Sequence, residues 1–148
     1  MNSTTAYGGA GMTTVDDGAD NAVTGARAWL DARPADTAEA RALVRSFLDR
    51  REPAVPERTV VDVLLIVSEL VTNAIRHAEG VTAFRIAART GVVEITVQDA
   101  SARLPEHKEH RGDWLPGGYG WPLVHRLAEV TVVPLGDGGK LIRALVRH

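Results

Sequence analysis

The stretch that most constrains this chain is Val60-Val61-Asp62-Val63-Leu64-Leu65-Ile66-Val67, in which seven of eight residues are apolar. Read as the first half of a helix from about Glu57 to Ala78, it is apolar nearly all round, and such a helix is buried on most of its sides. The second half brings polar groups onto the same helix. Glu69 and Asn73 are spaced i, i+4, about 40° apart and so on one face, and His77 follows a turn later. A charge on a buried helix needs a partner, because desolvating it without one is expensive. The carboxylate suits a general base, and the amide oxygen is a hard ligand suited to Mg2+. Taken alone, the segment is better explained by a polar helix face with a Glu69–Asn73 contact.

The flanking sequence predicts what covers this helix. Residues 26–33 form a short edge strand that ends at Pro34, and Asp36 or Thr37 caps a helix through residues 37–50. Ala40, Leu43, Val44, Phe47 and Leu48 recur along it at helical spacing. Gly80 stops the second helix. The runs VTAFRIAAR and VVEITVQ then read as two strands joined at Thr90–Gly91, the second alternating with period 2. Residues 100–120 hold Pro105, Pro116, many charges and a glycine group, and a loop of that length is usually functional or mobile. A third helix runs from about Trp121 to Ala128. VTVVPL and LIRALV flank Gly136-Asp137-Gly138-Gly139 as a hairpin. The order β-α-α-β-β-loop-α-β-β predicts an α/β (α+β) two-layer sandwich, with helices on one face of a mixed, largely antiparallel sheet.

Composition bounds the function. The 148 residues fit one domain, and a formal charge of -2 argues against general nucleic-acid affinity. The first basic residue is Arg27, so residues 1–25 carry -3 and the other 123 carry +1. That opening segment is rich in Gly, Ser, Thr and Asp and is expected to be a disordered tail, leaving 26–148 as the folding unit. With no cysteine there is no disulfide, thiolate metal site or cysteine nucleophile. No apolar run is long enough to span a membrane and no signal peptide is evident, so a cytoplasmic location is expected.

Further candidates lie outside the helix. Asp99 ends a strand and can accept a hydrogen bond from an exocyclic amine such as adenine N6, although Asp also favours such positions as turn chemistry. Gly117, Gly118 and Gly120 precede the third helix, where glycines let the backbone approach phosphate oxygens at a helix N-terminus. They are not in a Walker or dinucleotide-binding arrangement. His77, His107 and His110 have no metal-ligand spacing. Ser68 and Ser101 lack a triad arrangement.

In this order, the helix E-x-x-x-N, the strand-end Asp and the glycine loop resemble the Bergerat-type ATP-binding domain of the GHKL superfamily. That superfamily includes histidine kinases, heat-shock chaperones, MutL proteins and type II topoisomerases. The closest resemblance is to the anti-sigma factor serine kinases of the SpoIIAB/RsbW kind, especially their single-domain actinobacterial relatives. Residues 69–78 (ELVTNAIRHA) look like the family's N-box, Asp99-Ala100-Ser101 like the next box, residues 118–124 (GYGWPLV) like the glycine box, and Gly139-Lys140 like the last element. The resemblance implies that Glu69 is the catalytic base, that Asn73 binds Mg2+, and that Asp99 reads the adenine amine. Gly118 and Gly120 would lie on the phosphates under a lid of residues 102–117. His77, Ser101, Trp121 and Lys140 would complete the nucleotide contacts. It also implies an ATP- and Mg2+-dependent homodimer that holds a sigma factor and phosphorylates a serine on a STAS-domain antagonist. No direct contact with nucleic acid or membrane is implied. Three positions depart from the pattern. Ser101 stands where the superfamily often has Gly, Trp121-Pro122 replaces a Leu-rich helix start, and Leu141-Ile142-Arg143 replaces an expected aromatic. These departures leave open a degenerate regulator that acts by protein–protein binding. A histidine kinase fragment fits poorly, because there is no length for a dimerisation helix pair.

Overall fold

The computed structural model describes residues 3–8, 11–16, 27–104 and 120–148. Its helix layer is built around α2 (Glu57–Ala78), where Val60, Val63, Ile66, Val67, Leu70, Val71, Ala74 and Ala78 are buried at helical spacing. The helix is not enclosed on most sides, as its composition suggests. Val61, Leu65 and Ile75 are 48%, 39% and 40% exposed, because a layer one helix thick leaves the side away from the sheet in solvent. Before it, α1 (Thr37–Asp49) is capped by Asp36, whose Oδ1 accepts from the Glu39 N–H at 2.7 Å. Glu39 Oε2 in turn accepts from the Ala35 N–H at 2.9 Å, so the two carboxylates satisfy donors that the helix start leaves open. Ala40, Val44, Phe47 and Leu48 are its buried residues. The Thr37 and Thr72 hydroxyls meet at 3.2 Å and tie α1 to α2. α3 (Gly120–Leu127) packs on the other flank of α2 and buries Val124.

The helices cover one face of a sheet whose core is β3 (Ala28–Ala32), β4 (Val81–Arg89), β5 (Val92–Asp99), β7 (Lys140–Arg147) and β6 (Glu129–Pro134), in that spatial order. Every described pairing is antiparallel, in keeping with the largely antiparallel sheet expected. In β5 the period-2 alternation turns Val93, Ile95, Val97 and Asp99 toward the helices. In β7 it does the same for Lys140, Ile142, Ala144 and Val146. The opposite face mixes apolar residues such as Trp29, Leu141 and Leu145 with ion pairs. Arg85 pairs with Asp31 (Nη2–Oδ2 2.7 Å) and Arg143 with Glu94 (Nη2–Oε2 3.0 Å). Arg143, which replaces an expected aromatic, therefore serves the open face of the sheet.

Two sequence expectations need correction. The first concerns residues 1–25. Instead of a wholly disordered tail, they include β1 (Ser3–Gly8) and β2 (Gly11–Asp16), which pair with each other, and β2 continues the sheet from β3. Thr, Tyr and Val favour strands, and β3 otherwise presents a row of unpaired backbone groups to any segment nearby. β3 is consequently an inner strand and not an edge. The second concerns the end of α2. The residue there in the left-handed region is Glu79 (φ 60), ahead of Gly80 (φ 111). The Glu79 and Gly80 N–H groups both donate to the Ala74 carbonyl, the latter at 2.9 Å, so the last turn closes wider than an α-turn. A left-handed conformation is unfavourable for a residue with a Cβ. Glu79→Gly is therefore expected to raise the stability of the folded chain by up to about 1 kcal/mol. Thermal and urea denaturation against the parent protein measure this.

Candidate functional site

On α2, Glu69 and Asn73 lie one turn apart and are both half-buried, whereas His77 is exposed in the last turn. Glu69 rests against the start of α3. A Cβ built on Gly120 would fall on the Glu69 carboxylate, with its Oε2 nearest and its Cγ 3.1 Å away. The absence of a side chain on Gly120 therefore leaves the space in which the Glu69 carboxylate sits. Burial pushes the Glu69 carboxyl above its ordinary range, and the Arg76 charge partly opposes that. A carboxyl raised toward neutrality is better matched to accepting a proton in a reaction run near pH 7. Arg76, two turns beyond Glu69 on the same helix, was not singled out in the sequence, although the i, i+7 spacing was there to be read.

The second cluster sits where β5 and β7 meet. Asp99 and Lys140 are register partners and are 5% and 4% exposed. The Lys140 Nζ is 2.8 Å from Oδ2 and 2.9 Å from Oδ1 of Asp99, and it donates to the Ser101 carbonyl at 3.1 Å. The Ser101 N–H donates to Asp99 Oδ1 at 2.9 Å, and the Ser101 hydroxyl accepts from the Arg103 N–H at 3.1 Å. This buried pair is satisfied on both sides, the condition under which an internal charge is tolerated. Gly139 makes the approach of the two strands possible, because a Cβ there would strike the Asp99 carbonyl oxygen.

The candidates thus form two groups on packed elements: Glu69, Asn73 and Gly120 at the α2–α3 contact, and Asp99, Ser101 and Lys140 at the strand ends. Trp121 packs against the core and meets His125 edge-on at 4.6 Å between ring centroids. Gly117, Gly118, His107, His110 and residues 105–117 of the expected lid lie outside the described residues. Ser68 is structural, since its hydroxyl donates to the Leu64 carbonyl at 2.7 Å and accepts from Arg41 at 2.6 Å. Among the described residues no group of three or more His, Cys, Asp or Glu could hold a metal. Asn73 with Glu69 offers hard oxygen donors but few of them. That fits Mg2+, which commonly takes one or two protein ligands and the rest from phosphates and water.

The Glu69 environment has a measurable consequence. Below the ordinary glutamate value of 4.5, folded and unfolded chains both hold the proton. As pH rises past it, the unfolded chain releases its proton first, so the native state loses stability until its own higher value is passed. Glu69→Gln removes that loss. Its melting temperature should match the parent near pH 3.5 and exceed it by a margin that opens above pH 4.5 and then levels off. Gly120→Ala should displace the flexible Glu69 carboxylate from α3, a cost of about 1 kcal/mol or less that is already present at pH 3.5. Melting curves across pH separate the two.

The sequence model of the family described as histidine kinase-like ATPase domain matches residues 30–145. The anti-sigma F factors of Geobacillus kaustophilus (strain HTA426) and Geobacillus stearothermophilus are each 33% identical to this chain over 87 residues. The match covers 55% of this chain and 58% of each relative, so it spans little more than half of their length. Among solved structures, the Erythrobacter litoralis EL346 blue-light activated histidine kinase is similar at a TM-score of 0.47 and 23% identity, over 74% of this chain and 40% of that one. With the family match running from Leu30 in β3 to Leu145 in β7, this chain belongs to the histidine kinase-like ATPase domain family, whose membership implies ATP binding.

Proposed function

We propose that this domain is an ATP- and Mg2+-dependent serine kinase that holds a sigma factor and phosphorylates a STAS-domain antagonist, acting as a homodimer. The observation that carries the reading is the half-buried Glu69 carboxylate, raised by burial, one turn from Asn73 and seated against the first residue of α3. The anti-sigma F factor relatives support a sigma factor as the partner. Among the described residues no helix is long and apolar enough to cross a membrane.

Each residue has a role that its surroundings support. Glu69 accepts the proton of the attacking serine hydroxyl, and its position against Gly120 limits where that hydroxyl can sit. Asn73 presents its amide oxygen to Mg2+. Asp99 accepts a hydrogen bond from the exocyclic amine of the base. Mg-ATP, when bound, supplies the phosphoryl group and neutralises its charge. The serine oxygen–phosphorus bond forms, the bridging bond to the terminal phosphorus breaks, and ADP leaves. Such transfer depends mainly on positioning and electrostatics.

The test is transfer of labelled phosphate from Mg-ATP to STAS-domain proteins. Glu69→Gln is expected to lower the rate by roughly 100-fold or more, the usual contribution of a general base, while leaving Mg-ATP affinity within a few-fold. A parent protein that transfers to none of them, and behaves like Glu69→Gln, would instead be a regulator acting by contact.

A further inference from the structure

The Lys140 ammonium donates to Asp99 Oδ1 at 2.9 Å and to the Ser101 carbonyl at 3.1 Å, and it lies 2.8 Å from Asp99 Oδ2 as an ion pair. With the side chain only 6% exposed, the ammonium is turned to Asp99 and Ser101 and is buried away from a bound molecule. The expectation that Lys140 itself contacts a nucleotide is therefore not what this geometry favours. On Asp99, Oδ1 receives the Ser101 N–H and Lys140, while Oδ2 faces Lys140 alone among the described residues. A carboxylate oxygen has two lone pairs, so Oδ2 keeps one.

We propose that Lys140 is the specificity-determining positioning residue of the base subsite: by spending its donors on Asp99 and Ser101, it holds Asp99 as a fixed, acceptor-only carboxylate that takes a purine with a 6-amino group and rejects a 6-oxo purine. The inference rests on the reading that Asp99 meets the base. A 6-amino group donates to the remaining lone pair. A 6-oxo group places an acceptor against it, and the buried Lys140 ammonium faces Asp99 and Ser101 instead of that acceptor. Selectivity of this kind, set by a buried polar group left unpaired by the wrong ligand, is large. Removing the cation changes the rule. A buried carboxylate without a partner neutralises by taking up a proton, and a protonated carboxyl donates as well as accepts.

The experiment titrates the full chain with Mg-ATP and with Mg-inosine triphosphate, which differ at the 6-position, by calorimetry. The parent protein should prefer ATP by roughly 100-fold, and Lys140→Met should bring the two within about fivefold, chiefly by tightening the inosine nucleotide. If Lys140→Met is too unstable to assay, Lys140→Gln keeps an amide donor near Ser101 without the charge and is expected to narrow the ratio in the same direction. A Lys140 that is merely structural would weaken both nucleotides equally. An unchanged ratio in the assayed variant overturns the proposal and leaves the kinase reading standing. A parent protein that binds both nucleotides alike does the same. A parent protein that binds neither overturns both.

Discussion

The apolar side of α2 against β5 and β7 is the contact from which the rest of the molecule takes its position. Val63, Ile66, Val67 and Val71 are wholly buried there, and a helix tied down along that many turns cannot rotate about its axis. Its rotation decides where Glu69 and Asn73 stand, because they lie on the same cylinder as the core residues at fixed angular offsets. α1 and α3 then settle against its flanks. The polar pair is placed by hydrophobic packing, and its chemistry follows from where that packing leaves it.

Two acidic residues in this layer are handled in opposite ways. Asp99 has a counter-charge, a backbone donor and almost no exposure, so it is locked in orientation. Glu69 is half-buried with no hydrogen-bonded partner of that kind among the described residues, and the Arg76 charge partly offsets the effect of its burial. A locked carboxylate suits recognition, where geometry is what matters. A dehydrated one suits proton transfer, where a modest free-energy difference between its two forms is needed.

Much of this layout was legible from local pattern. The bounds of α2, the cap at Asp36, the β4–β5 hairpin and the burial of Ala40, Val44, Phe47 and Leu48 all follow from signals within a few residues. What escaped depends on longer range. The Asp99–Lys140 pair needs the β5–β7 register, although alternation in both strands already put the two residues on the inner face. The seating of Glu69 against Gly120 joins residues 51 apart in the chain, and nothing local to either announces it. Gly80 looked like the helix stop because glycine usually fills the left-handed position, yet Glu79 occupies it. Residues 3–16 read as tail because little in them asks to be buried. Their pairing uses backbone groups, which composition does not register.

The open face of the sheet has a consequence for encounters with other molecules. Asp31 with Arg85, Glu94 with Arg143 and Glu129 with Arg147 place opposite charges side by side, so their fields cancel within a few ångströms. Long-range steering requires a patch of one sign, and these pairs supply none. For a macromolecule arriving at that side, these three pairs add little to the long-range attraction and little to its dependence on ionic strength.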